Sequence, residues 1–175
     1  MASEKEIKEI ISGLQSSEDV LINKALTKVR TKGNHTILPF LIDLWSNSED
    51  QKIKKEVESI LFGLKEKQAL AFLISYISTE VSEEKKWLAL NAIWQSGFDA
   101  SEFLSELLDF AISNSYTNAI DVMTIIDNSE FDEKNENMVD QNLIKLNEFL
   151  LKNKTDNLQV LLEIKSILIE KKIEG

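Results

Sequence analysis

The chain has 175 residues, 43% of them hydrophobic and 29% charged, enough to bury one substantial core beneath a polar surface. One proline and five glycines disfavour an all-β protein, which needs frequent turn residues. The absence of cysteine excludes disulfides, iron–sulfur clusters and thiolate zinc sites, and a net charge of −10 opposes binding to a phosphate backbone.

Apolar residues recur at three- and four-residue steps along nearly the whole chain, which predicts helices. In order they cover 3–14, 18–31, 36–46, 50–64, 67–77, 82–96, 100–113, 116–127, 136–152 and 155–172. Ser3 with Glu6, Ser48 with Gln51 and Asp99 with Glu102 have capping-box spacing, so each pair is expected to open a helix. Gly33 and Gly97 follow helical runs and suit a left-handed stop. Pro39, near the start of the third helix, is expected to bend the chain there. Short connections make successive helices antiparallel neighbours. The exception is the segment 127–136. Between Asp127 and Asp140 six acids stand against Lys134 alone, and a calcium loop there would need a central glycine that is missing. A solvated, mobile acidic loop is the expectation.

The helices repeat. Apolar doublets at Ile10-Ile11, Phe40-Leu41, Phe72-Leu73 and Phe103-Leu104 are spaced by 30, 32 and 31 residues. A second series opens on Asp19, Asp50 and Glu83 and continues through Leu26, Val57, Leu90 and Val29, Ile60, Ile93. Its register extends to Ile120 and Met123. Two independent series of one period indicate stacked helix pairs that bury their faces against each other. The repeats run over approximately 3–33, 35–65, 67–98, 100–128 and 136–172, within one domain spanning 1–175.

Segment 37–61 carries a likeness to a known family. Ile37-Leu38-Pro39-Phe40-Leu41 and Asp50-Gln51-Lys52-Ile53-Lys54, followed by Val57 and Ile60-Leu61, resemble the two helices of a HEAT repeat, an armadillo-type unit. The resemblance implies an all-α, right-handed α-solenoid of about five antiparallel helix pairs, with the second helices lining a concave face. The position after the turn aspartate is Lys54 in one repeat but Asn23, Trp87 and Thr117 in the others, so a continuous Asp–Arg ladder is not expected.

On that implication, a central row of the concave face runs through Thr27, Glu58, Asn91 and Asp121. It is flanked by Asn23, Lys54, Trp87, Thr117 and by Arg30, Leu61, Trp94, Thr124. The helix 82–96 is apolar nearly all round, with a polar strip of Glu84, Asn91 and Gln95. Trp87 and Trp94 point the same way, and two roles are open to them: core side chains, or anchors for a bound segment. Thr27, Lys54, Glu58, Glu84, Trp87, Asn91, Trp94, Gln95 and Asp121 are the candidate partner-binding residues. Trp45 is expected to pack under a turn.

Signs of catalysis are lacking. The lone histidine, His35, sits in an inter-helix turn and is read as exposed and without a structural role, and no glycine-rich phosphate loop or nucleophile elbow is present. No cofactor or metal is expected. The reading is a non-enzymatic interaction scaffold for a protein or peptide partner, with a basic partner favoured by the acidic surface. Two rivals are an acidic inhibitor that mimics nucleic acid, and a HEAT-like DNA base-excision glycosylase using Trp87, Trp94 and Asp121. The second needs a basic groove, for which Lys54, Lys55, Lys85 and Lys86 are the candidates. The longest charge-free runs are 12 residues, against roughly 20 for a membrane span, and the first residues alternate in charge. A cytoplasmic setting without membrane attachment is expected. The lysine- and glutamate-rich outer helices favour a monomer, although Ile164, Ile167, Leu168 and Ile173 offer a route to self-association.

Overall fold

A computed structural model describes residues 3–80 and 82–174, the last two as backbone only. Among them the chain forms ten α-helices, two 3-10 turns and no strand. The helices are α1 (Glu4–Leu14), α2 (Asp19–Lys32), α3 (Leu38–Asn47), α4 (Gln51–Leu61), α5 (Lys67–Thr79), α6 (Glu83–Gln95), α7 (Leu104–Ser113), α8 (Tyr116–Asp127), α9 (Glu136–Lys152) and α10 (Leu158–Glu174). Single 3-10 turns, His35–Ile37 and Ser101–Phe103, lead into α3 and α7. Among the described residues no helix is long and apolar enough to cross a membrane.

Local chemistry sets the helix starts. Ser3 and Glu6 form a reciprocal capping box at α1, satisfying two exposed backbone donors. The box expected at Ser48 does not form. Asp50 caps α4 by accepting from the Lys52 N–H, and Ser48 instead accepts from the Asp50 N–H. Asp99 likewise bonds Ser101 rather than pairing with Glu102, and it also accepts from the Glu130 N–H. Ser82 and Ser115 cap α6 and α8. Pro39 lies in the first turn of α3, where its missing N–H falls among donors that have no intrahelical partner.

Two glycines permit close approach for different reasons. At Gly13 an added Cβ would stand 2.7 Å from the Ala25 Cβ, so α1 and α2 touch through their backbones. Gly97 has φ +65°, the left-handed conformation that ends α6. Gly33 differs from expectation: its backbone is extended at φ −68°, and it is confined instead by the Val29 carbonyl, 2.6 Å from where a Cβ would lie.

Each odd-numbered helix packs on the even-numbered helix that follows it. The even-numbered helices also touch in succession, α2 on α4, α4 on α6, α6 on α8 and α8 on α10. The odd-numbered series is joined by α1 with α3, α5 with α7 and α7 with α9, and α3 reaches across to α6. The buried apolar side chains form one cluster from Ile10 to Leu168. In α8 the core positions are Val122, Ile125 and Ile126, whereas Ile120 and Met123 are only half-buried. The two α8 positions reached by counting are thus less enclosed than their counterparts Leu90 and Ile93, which are fully buried.

Helix ends are tied across neighbouring hairpins. The Ser96 Oγ donates to the Leu61 carbonyl, and Lys65 donates to the Ser96 carbonyl. Further on, the Ala100 N–H donates to the Ser129 Oγ, and Lys171 donates to the Ser129 carbonyl. The acidic segment is thus not a free loop: Ser129 is buried and Phe131 packs against the core. Physically, burying one hydroxyl and one ring anchors the segment despite its charge. The last hairpin also differs from expectation. Ile164 and Leu168 are fully buried and Ile167 packs on the core, while the Ile173 side chain lies outside the described residues. Exposed apolar side chains there are Ile144, Leu151, Leu158, Leu162 and Ile169.

His35 is half-buried rather than exposed, because the 3-10 turn folds its ring inward. Its Nδ1 is enclosed and unpaired, beside a cleft of about 300 Å³ lined also by Arg30, Ser59 and Lys65.

Candidate protein-interaction face

The face begins with α6, which is buried nearly all round. Leu88, Ala89, Leu90, Ala92 and Ile93 are all fully enclosed, because α3, α4, α5 and α8 surround it. Trp87 lies one turn into this helix, on the side facing α3. It is 39% exposed, and its ring centroid stands 5.8 Å from that of Trp45 with the planes inclined by 30°.

Trp45 occupies the last full turn of α3 and is buried. It does not simply pack under a turn. Its indole Nε1–H donates to Glu58 Oε1 of α4 at 2.9 Å, which satisfies a donor that burial would otherwise strand. The Lys54 ammonium sits 4.4 Å from the Trp45 ring centroid, within cation–π range. The same ammonium lies 3.8 Å from Glu84 Oε1 on α6. Three helices thereby contribute one cluster of Trp45, Lys54, Glu58, Glu84 and Trp87. Beside it, Lys85 pairs with Asp43 at 2.6 Å, and that hydrogen bond raises the lysine above its ordinary pKa.

Lys54, Glu58, Glu84 and Trp87 are the predicted residues that meet here. Among the described residues no bond or ring contact joins Thr27, Trp94, Gln95 or Asp121 to them. Thr27 is exposed and donates to the Asn23 carbonyl. Gln95 is exposed at the end of α6, and Trp94 is half-buried against the core. Of the two tryptophans, Trp94 packs on the core and Trp87 is the one exposed to 39%. Asn91 is bonded to Trp87 through the Trp87 backbone. It is buried, and its Nδ2 donates to the Trp87 carbonyl one turn back, a local bond that lets an amide sit in an enclosed helix. Leu61, expected in a flanking row, is fully buried. Asp121 is half-buried with an unpaired Oδ2, and burial pushes its carboxyl up to about 6.

Trp45 is the member that sequence reasoning missed. Its partners stand on α4 and α6, so no spacing within α3 reveals them. The basic candidates are largely neutralised: Lys54 lies near Glu84, Lys85 pairs with Asp43, and Lys86 binds Glu83 and Asn114. Among the described residues no group of three His, Cys, Asp or Glu side chains is placed to hold a metal ion. Comparison with family models, with curated proteins and with solved structures returned no match.

Proposed function

We propose that the chain is a non-enzymatic protein-interaction module, a HEAT-like right-handed α-solenoid of five helix pairs that docks a protein or peptide partner on the α4–α6 face. The architectural part draws support from the chain-order contacts of the even-numbered helices and from the 30- to 33-residue period. Trp87 carries the functional part. A large aromatic side chain, part-exposed and held in place by a buried second indole, loses little freedom when a partner covers it. The net charge of −10 adds long-range steering toward a basic partner, and carboxylate-paired lysines speak against nucleic acid.

Affinity capture from native lysate tests this with the parent chain, Trp87→Ala and Leu151→Ala. Leu151 is exposed on the last hairpin, so its variant controls for general loss of apolar surface. Partners lost with Trp87→Ala alone, at unchanged circular dichroism, support the docking face. Retention of every partner by a folded Trp87→Ala chain rejects it.

A further inference from the structure

We infer that the Trp87 face recognises an arginine side chain in a basic partner segment, which displaces the chain's own Lys54 from Glu84. The inference rests on the docking reading above and adds the chemistry of the group that is bound.

The cluster already holds a cation. Lys54 hovers 4.4 Å above the buried Trp45 ring, so an aromatic face flanked by carboxylates receives a positive charge here. The two carboxylates differ. Glu58 is committed to the Trp45 indole by a 2.9 Å hydrogen bond, which fixes it in place. Among the described residues the one ion pair of Glu84 is with Lys54 at 3.8 Å, at the long end for such a contact; Lys85 acts on it only through space, and the Glu84 side chain is 53% exposed. Such a contact is weak and exchanges readily. Glu84 is therefore the carboxylate able to change partners.

Glu84 and Trp87 are three residues apart on α6, which places them as neighbours on one helix face. One side of the Trp87 ring rests on Trp45, and the indole is nevertheless 39% exposed. A group that satisfies both residues must be flat enough to stack on an indole and must also donate to a carboxylate. Guanidinium does both at once, by stacking and by a forked pair of N–H donors. Ammonium is a compact, strongly hydrated charge and offers only one of these at a time. An apolar partner residue would cover Trp87 but leave Glu84 and the displaced Lys54 without gain. The acidity of the chain further favours a basic segment.

The test uses the full chain and three capped peptides in which glycine alternates with arginine, lysine or citrulline, followed by tryptophan emission at low salt. The expected result is saturable binding of the arginine peptide, roughly five-fold or more tighter than the lysine and citrulline versions. Trp87→Ala should abolish it, and Glu84→Gln, an exposed change that leaves the fold intact, should weaken it by about ten-fold. Lys54→Met should tighten binding by about three-fold, because the internal competitor is removed. Equal affinity for arginine and citrulline overturns the proposal, as does a Lys54→Met chain that binds no more tightly than the parent. No emission change up to about 1 mM peptide does the same. The docking reading is judged separately by capture: partners lost with Trp87→Ala alongside no arginine preference would leave the face standing and reject only its arginine chemistry.

Discussion

The indole N–H of Trp45 and the carboxylate of Glu58 are bonded at 2.9 Å between the end of α3 and the middle of α4. Neither side chain is fully exposed, so the bond closes a polar donor and a charged acceptor that the packing has largely removed from water. Trp45→Phe keeps an aromatic ring beside Trp87 but removes the donor. We expect a loss of about 1–2 kcal/mol in urea unfolding. Glu58→Gln retains an acceptor oxygen and should lose less. An equal loss for both would show that the charge, rather than the bond, matters.

Gly13 and Gly97 should respond differently to alanine. At Gly13 the new methyl would meet Ala25 at 2.7 Å, so α1 and α2 must separate, at about 1–3 kcal/mol. At Gly97 nothing lies within 4 Å of the added carbon, and the penalty is only the left-handed backbone, about 1 kcal/mol. Thermal melts of the two single variants check the order. Restoring space with Ala25→Gly should rescue the first and leave the second unchanged.

Asp121 predicts a pH signature. Its folded carboxyl is raised from 3.8 to about 6 by burial, so the folded state holds its proton more tightly than the unfolded chain does. The stabilising effect of protonation is complete below pH 3.8 and is lost as pH rises through about 6. Asp121→Asn keeps the shape without the charge. Its advantage over the parent should be near zero at pH 4 and should grow to about 1 kcal/mol by pH 8, allowing for solvent screening of a half-exposed group. Unfolding curves across that range test it. A constant difference would show that Asp121 ionises normally.

Asn157 should behave as a small keystone. It is buried, and its Nδ2 donates to the carbonyls of Ala111 and Asn114 at the end of α7. Asn157→Ala strands both acceptors and should destabilise the chain by roughly 2 kcal/mol. Asn157→Asp, which has no donor to offer, should do no better. Hydrogen exchange should then rise first in α9 and α10.

The sequence exposes most of the helices because their apolar spacing and their junction chemistry agree. The start of α1 is an example: the Ser3–Glu6 capping-box spacing and the apolar steps that follow it mark one helix. Misreadings arose where two local partners compete. Ser48 and Asp50 both offer cap oxygens, and only backbone geometry selects Asp50. In α8 apolar residues stand on both sides of each three-residue step, at 119–120, 122–123 and 125–126, so spacing alone does not say that Val122 is enclosed more fully than Ile120. For the candidate face, helical counting singles out Lys54, Glu58, Glu84 and Trp87 without placing them all in one row, and the contacts that join them run through Trp45 and Lys54. Such counting stays within one helix face. It could not find Trp45, whose ring reaches residues on other helices. Nor could it foresee that Asn91 satisfies itself on its own helix.

The ties between helix ends bear on truncation. Leu61 depends on Ser96 for a donor, Ala100 depends on Ser129 for an acceptor, and the carbonyls of Ala111 and Asn114 depend on Asn157. In the first and last cases the closing side chain belongs to the following hairpin, and at Ser129 that hairpin supplies Lys171 to the carbonyl. Trimming the chain from its C-terminal side would therefore strip the new last hairpin of its polar closures as well as its apolar cover. Shortened versions should require replacement caps at the cut edge before they fold, and a protease that nicks the 153–157 connection should set off loss of structure that travels backwards toward α7.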